Sequence, residues 1–200
     1  MHVSVPVRRV LALVLLVVLT SCGSSSPKVS AVIDQVTPAA DFTLTTSNGT
    51  PWRMADQQGK LVLMFFGFTN CPDVCPTTLA DMAATRTQLG ADADKVEMVL
   101  VSIDPERDTP EKLTKYAAAF DPAIVALRGD QAQLDPVLKA YGVVAQRRDL
   151  PDSALEYTMD HSSAIYVIDR AGNWRGLIPF GAPLEDVVHD VKYFLNSTGA

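Results

Sequence analysis

The sequence has few of the residues that build metal and redox sites, with only three cysteines and three histidines among 200 residues. A structural zinc site usually takes four Cys or His ligands. Beyond the pair Cys71 and Cys75, the sequence offers no further cysteines close by and few histidines. This scarcity argues against a structural zinc site.

Concentrated positive charge is also missing. The formal net charge is −6 and the isoelectric point is about 4.9. Apart from Arg147 and Arg148, the part of the sequence after residue 40 has no basic cluster. These features argue against nucleic-acid binding and against strong adhesion to anionic lipid.

The longest hydrophobic run is too short to span a membrane. Residues Val10 to Leu19 (VLALVLLVVL) follow Arg8 and Arg9, and the run has about half of the roughly 20 apolar residues that a spanning helix needs. A short apolar core behind positive charge is typical of a secretory signal. We therefore predict a signal peptide at residues 1–21.

The residues behind this run predict how the protein is held. The segment LTSC, ending at Cys22, resembles the lipobox of bacterial lipoproteins, whose cysteine is lipidated and becomes the mature N-terminus. The Gly/Ser/Pro bias after Cys22 is typical of a flexible linker, so residues 22–40 are predicted to be a tether with a reach of roughly 25 Å. The expected protein is exported and lipid-anchored to the outer face of the cell membrane, with a folded domain at 41–200.

Strand and helix signals alternate from Asp41 onward. The Asn48-Gly49 dipeptide predicts a hairpin with a type I′ turn, and two apolar runs predict buried strands at 61–68 and 96–104. Two more strands are expected on either side of a turn at 171–173. Helices are predicted at about 76–89, 110–120, 130–141 and 184–195. The order predicts an α/β, thioredoxin-like fold, with a central mixed sheet flanked by helices and an N-terminal hairpin extension.

Cys71 and Cys75 lie between a predicted buried strand and a predicted helix. Cys75 stands where an N-cap would, with Pro76 at the first helical position. The helix N-terminus should therefore depress the pKa of the Cys75 thiol. A disulfide closing so small a loop would stabilise little, which favours a metal site or a redox pair over a structural staple.

His161 precedes a predicted buried strand and is expected in the loop that faces the two cysteines. Two thiolates and one imidazole form a soft ligand set that suits copper(I), and an imidazole also serves copper(II). The pattern equally allows a histidine that only hydrogen-bonds locally. His189 lies in the predicted C-terminal helix, where a solvated helix face explains it.

Three segments together resemble one protein family. FGFTNCPDVCPTTLADM, VSIDPERDTPEKL and DHSSAIYVIDRAG are similar to the signature segments of the Sco/SenC family, in the same order. The resemblance implies a thioredoxin-like fold, copper binding and a role in assembling the dinuclear copper centre of cytochrome c oxidase subunit II. It also implies copper ligands at Cys71, Cys75 and His161.

Weaker expectations concern neighbouring residues. Asp160 is expected to orient His161, with a turn role as the alternative. Met159 is a possible further ligand, although an alternating strand position explains it better. Thr109 and Pro110 predict the start of a helix.

Two other functions compete with copper delivery. A thiol-disulfide reductase acting on the cysteines of the client's copper site would use the same two thiols, although typical members space them as CxxC. A peroxiredoxin would need a threonine three residues before its reactive cysteine, where this sequence has Phe68 and Pro72. In an oxidising compartment the dithiol would need an external reductant, and copper delivery would need a copper donor.

Overall fold

The computed structural model describes residues 26–197. Within this range the helices and strands alternate much as the sequence predicts. The strands and α-helices are β1 (Ala31–Pro38), β2 (Thr43–Thr46), β3 (Pro51–Arg53), β4 (Leu61–Gly67), α1 (Val74–Leu89), β5 (Val96–Ser102), α2 (Pro110–Ala118), β6 (Ile124–Arg128), α3 (Gln131–Ala140), β7 (Ala145–Asp149), β8 (Tyr157–His161), β9 (Ile165–Ile168), β10 (Asn173–Ile178) and α4 (Leu184–Asn196).

Eight strands form one mixed sheet in the order β1-β10-β9-β4-β5-β6-β2-β3. Strands β4, β5 and β6 are parallel, whereas β9 runs antiparallel to β4. All seven residues of β4 are buried, as expected for a strand covered on both faces. The predicted class is confirmed: the fold is α/β and thioredoxin-like, and the β2–β3 hairpin extends one edge of the sheet.

The turn of this hairpin differs from the predicted type. Gly49 has φ +91°, but Asn48 does not have a positive φ, and a type I′ turn requires positive φ at both central residues. Instead, the Gly49 N–H donates to the Thr46 carbonyl at 2.9 Å, and the Thr46 N–H donates to the Thr50 carbonyl at 2.8 Å. The loop is therefore longer than two residues, and Gly49 supplies its single left-handed conformation.

Residues predicted to be tether belong in part to the sheet. β1 pairs antiparallel with β10, from Ala31 opposite Leu177 to Pro38 opposite Asn173. Without β1, β10 would be an unpaired edge strand. The strand that pairs with β10 therefore lies partly in the segment that was predicted from its composition to be a linker. The folded domain therefore begins before Asp41. The predicted signal peptide and Cys22 lie outside the described residues.

Helix α1 begins earlier than predicted. Its N-cap is Asp73 and its first residue is Val74, which puts Cys75 at the second helical position and Pro76 at the third. Proline is tolerated there because the first N–H groups of a helix have no intrahelical partner. By contrast, α2 begins as predicted, with Thr109 as an N-cap that accepts the Lys112 N–H and with Pro110 at the first position.

Strands β7 and β8 were not predicted. They form a separate two-stranded sheet in which Ala145 lies opposite His161. Most side chains of β7 are exposed, so this strand lacks the apolar signal on which the prediction relied. His161 therefore ends a strand and does not lie in a loop.

Within residues 26–197, no helix combines the length and the apolar character that crossing a membrane requires.

Candidate metal centre

The structure brings Cys71, Cys75 and His161 together. Their ligand atoms all lie within 4.8 Å of one another, and Cys75 Sγ is 3.6 Å from His161 Nε2. Cys75 is buried and Cys71 is partly exposed, and both are free thiols. Within the described part of the chain, no other three or more His, Cys, Asp or Glu side chains converge in this way.

A glycine at the end of β4 lets the cysteine-bearing helix begin close to the sheet. A Cβ atom at Gly67 would lie 3.0 Å from Cys75 Sγ and 2.7 Å from the Phe65 ring. Both distances are shorter than ordinary van der Waals contact between such atoms. Gly67 therefore provides the space in which the Cys75 sulfur sits.

The orientation of His161 leaves one ring nitrogen free to bind a metal. His161 Nδ1 lies 2.8 Å from the Ser162 carbonyl oxygen. Because a carbonyl oxygen can only accept a hydrogen bond, Nδ1 carries a proton, and in the neutral imidazole Nε2 then has the lone pair. The rings of Phe65 and Phe68 meet the imidazole edge-on at 5.9 and 5.8 Å. The Nε2 lone pair is therefore held on the side of Cys75.

The predicted role of Asp160 is not observed. Its exposed carboxylate accepts two hydrogen bonds from Arg148, at 2.8 and 3.1 Å. Neighbouring strand residues point to opposite faces, so Asp160 and His161 diverge. The Ser162 carbonyl orients the imidazole in its place. Met159 lies in β8 and packs partly buried against the core, which agrees with the interpretation of Met159 as an alternating strand residue.

The two thiols differ in acidity, and in the order opposite to the prediction. The hydrogen bond from the Cys75 thiol lowers the pKa of Cys71 to about 4. Burial opposes this shift, and the backbone N–H groups of Asp73 and Cys75 add to it. Donation to Cys71, together with burial, raises the pKa of Cys75. The helix N-terminus acts on Cys71 because the Cys75 N–H points at the Cys71 sulfur, 3.4 Å away.

This difference predicts how fast the reduced, metal-free protein is alkylated. The rate with iodoacetamide should level off above about pH 5, because Cys71, with a pKa of about 4, is then already a thiolate. The matched Cys71→Ser protein, which retains only buried Cys75, should react far more slowly at pH 7. A rate that rises up to pH 8 or 9 in the unaltered protein would contradict the assignment.

A buried carboxylate supports the loop that carries Cys71. Asp108 is fully buried and accepts hydrogen bonds from the hydroxyls of Ser102 and Thr69, each at 2.6 Å. Burial raises the pKa of Asp108, against the hydrogen bonds from Ser102 and Thr69 that lower it. Thr69 is two residues before Cys71, so Asp108 links that loop to the end of β5.

A second buried acid connects the same segment to the strand that carries His161. Asp104 accepts hydrogen bonds from Arg107 Nε at 2.6 Å and from the Tyr157 hydroxyl at 2.8 Å. The Arg107 guanidinium stacks 3.4 Å from the centre of the Tyr157 ring and also donates to the backbone carbonyls of Leu155 and Tyr157. Tyr157 and His161 begin and end β8.

The segment at residues 104–108 therefore contacts both halves of the site, which the sequence analysis missed. The region was predicted to contain a helix start and to be one of the segments that resemble the Sco/SenC family, without a role at the site. The available signal was three acids and an arginine directly after a buried strand, in the sequence DPERD.

Comparison with known proteins places this site in a family. The model of the SCO1/SenC family matches residues 31–196. An SCO2-like protein of Rickettsia felis is 36% identical over 141 residues, which is 70% of this chain and 69% of the relative. The range matched by the family model covers the cysteine pair, the 104–108 segment and His161.

Solved structures agree with this match. The copper-bound structure of Bradyrhizobium japonicum ScoI is 38% identical, with a TM-score of 0.72 over 80% of this chain and 100% of that one. Apo Sco1 of Thermus thermophilus is 34% identical, with a TM-score of 0.74 over 83% of this chain and 96% of that one. The chain belongs to the SCO1/SenC family.

Proposed function

We propose that the protein is a copper metallochaperone that binds copper through Cys71, Cys75 and His161. It would assist the assembly of the dinuclear copper centre of cytochrome c oxidase subunit II. The observation that carries the proposal is the convergence of the three ligand atoms within 4.8 Å of one another. The copper-bound ScoI relative and the family resemblance support the choice of metal.

The chemistry of the donor set fits copper as a cargo. Cys71 is an acidic thiol, so little energy is needed to deprotonate it at neutral pH. The Ser162 carbonyl accepts from His161 Nδ1 and leaves Nε2 as the ligand atom. Soft thiolates favour copper(I), and the added imidazole also allows copper(II) to bind. Because Cys71 is partly exposed, an acceptor protein can reach one ligand of the site directly.

Titration of the reduced mature protein with copper(I) and with copper(II) tests this proposal. We expect one equivalent of either ion to saturate the site, with a thiolate-to-copper charge-transfer band for copper(II). A protein carrying Cys71→Ser and Cys75→Ser is the control and should show neither. Saturation by one equivalent in this control would refute the proposed ligand set.

A thiol-disulfide reductase remains the second candidate, and the unequal acidity of the two thiols favours it. The Cys71 thiolate would attack a disulfide of the client, forming a mixed disulfide and releasing one client thiolate. The Cys75 thiolate, formed by loss of its proton, would then attack Cys71, releasing the second client thiolate. The client gains two electrons, and the protein is left with a Cys71–Cys75 disulfide that an external dithiol reductant must reduce.

We also propose that lipid on Cys22 holds the domain at the outer face of the cell membrane. The lipobox-like segment LTSC behind an apolar run supports this. Cys22→Ala should prevent lipidation and release the protein from the membrane fraction or block its processing. Mass spectrometry of the mature native protein is the direct measurement, and an unmodified Cys22 would refute the lipobox interpretation.

A further inference from the structure

A buried carboxylate in α4 holds the segment through which the chain enters the domain. Asp190 is fully buried and accepts the backbone N–H groups of Lys28, Val29 and Ser30 at 2.7, 3.0 and 2.8 Å. The Ser30 hydroxyl adds a fourth hydrogen bond at 2.7 Å. We call this arrangement, Asp190 with residues 28–30, the Asp190 clamp.

The clamp stays charged at physiological pH. Burial opposes ionisation of Asp190, but hydrogen bonds from His189, Lys28 and Ser30 outweigh it and hold the pKa at about 2. An exposed ion pair between Lys28 Nζ and Asp186, 2.8 Å apart, lies beside it. Hydrogen bonds to an ionised group are the stronger kind, so residues 28–30 are attached to α4 and are not part of a free linker.

The clamp lies at the same end of the sheet as the metal site. The strand register shows this. Ala31, the first residue of β1, pairs with Leu177 near the end of β10. The next residue of β10, Ile178, pairs with Ile165 at the start of β9, and Ile165 pairs with Phe65 near the end of β4. Phe65 is two residues from the end of β4, where the cysteine loop begins. β1 and β4 are three strand positions apart, which is about 14 Å across the sheet.

The chain between the clamp and the predicted lipid is short. Cys22 and Lys28 are joined by six peptide units, which span at most about 21 Å when fully extended. A free tether up to residue 40 would allow the domain to turn in any direction. Instead, β1 enters the sheet at the metal-site end from Ala31 onward, and the clamp at residues 28–30 shortens the free connection between that end and the lipid.

Two exposed apolar side chains lie at this end. Val144 is 55% exposed and precedes Ala145, the partner of His161. Phe180 is 41% exposed and follows Ile178, which pairs at the start of β9. Both side chains are therefore accessible to a partner that approaches this end of the domain.

We infer that β1 and the Asp190 clamp together hold the metal-site end of the domain towards the bilayer, so that the acceptor proposed above meets the metal site on the side that faces the membrane. This inference rests on the proposed function and on lipidation of Cys22. The acceptor would contact the surface around Val144 and Phe180. A soluble acceptor approaching from the bulk would meet the opposite end of the domain first.

Energy transfer to lipid measures this orientation. The full-length lipoprotein is reconstituted in vesicles of phosphatidylethanolamine and phosphatidylglycerol with an acceptor dye on a lipid headgroup. A donor dye is attached through an azide-bearing amino acid at Glu185, at the metal-site end, or at Ala171, in the turn at the other end; both positions are exposed. Transfer should be at least about twofold more efficient from Glu185, because β10 separates the two ends by about 20 Å.

Two variants test whether the clamp and the short connection cause this difference. A twelve-residue Gly/Ser insertion between Ser25 and Ser26, which leaves the folded domain unchanged, should remove it. Asp190→Ala frees only residues 28–30, because β1 still pairs with β10, and should reduce the difference without removing it. Asp186→Ala is the matched control: it loses only the Lys28 Nζ pair and should keep the difference.

Three kinds of result would overturn the inference: equal transfer from both donor positions in the unaltered protein, a full difference in the insertion variant or in Asp190→Ala, or a mature protein without lipid on Cys22. None of these measurements uses copper. A failure of the proposed copper binding would therefore be seen separately, in the titration.

Discussion

His161→Ala is expected to abolish copper(II) binding while leaving the dithiol chemistry of Cys71 and Cys75 largely intact. The Nε2 atom is the only nitrogen donor in the cluster, and copper(II) needs such a donor beside the thiolates. Changes to residues that merely support a metal ligand typically cost about 10- to 100-fold in affinity, so loss of the ligand itself should cost more than that. Titration followed by absorbance and electron paramagnetic resonance measures this effect.

Asp160→Asn is the matched control for His161→Ala. The Asp160 carboxylate pairs with Arg148, and the imidazole is oriented by the Ser162 carbonyl. The control should therefore bind copper within a few-fold of the unaltered protein. A loss of about 10-fold or more, the range typical of residues that orient a ligand, would show that Asp160 supports His161 after all.

The same variant separates the two candidate functions in cells. If copper delivery is the main role, cells with only His161→Ala should lose oxidase activity almost as fully as cells with Cys71→Ala and Cys75→Ala. Thiol-disulfide exchange needs the two sulfurs and an acidic thiol. Retention of most oxidase activity by the His161 variant would therefore identify the protein as a reductase and reject the metallochaperone proposal.

Arg107→Gln is expected to give the largest loss of stability among changes close to the site. Its ion pair with Asp104 has side chains only 16% and 2% exposed, and removal of one partner of a buried pair costs about 3–5 kcal/mol. Tyr157 still donates to Asp104, which favours the lower end, about 3 kcal/mol. For a protein of this size, that lowers the melting temperature by about 10 °C, measured by calorimetry of the metal-free protein.

The Arg107 change should also weaken copper binding, because Arg107 attaches β8 to the segment that supports the cysteine loop. Arg147→Gln is the control, since Arg147 stacks on the same Tyr157 ring at 3.7 Å but has exposed ion-pair partners. Exposed pairs contribute about 0–1 kcal/mol. Equal destabilisation by both changes would mean that stacking on Tyr157, and not the buried pair, holds the hairpin.

The buried strands and most helices could be predicted because their signals are local. The apolar run that became β4 has no polar interruption, the run that became β5 has only Glu97 before its last residue, and Thr109-Pro110 is a helix start that acts within one turn. The pattern selected the two cysteines and left the role of His161 open, and the resemblance of three segments to the Sco/SenC family implied all three candidate ligands. The sequence by itself thus determined the fold class and, through that resemblance, the candidate ligands.

Tertiary structure decided the features that depend on partners distant in sequence. Strand β1 was identified only by its pairing with β10, because its β-branched residues lie in a segment whose Gly/Ser/Pro bias predicted a linker. The polar strand β7 was identified only by its pairing with β8. Cys71 became the acidic thiol because the buried Cys75 donates to it, which reverses the expectation from helix position alone. Asp190 attached residues 28–30 to α4 from 160 or more positions away, because one buried carboxylate satisfies three backbone donors at once.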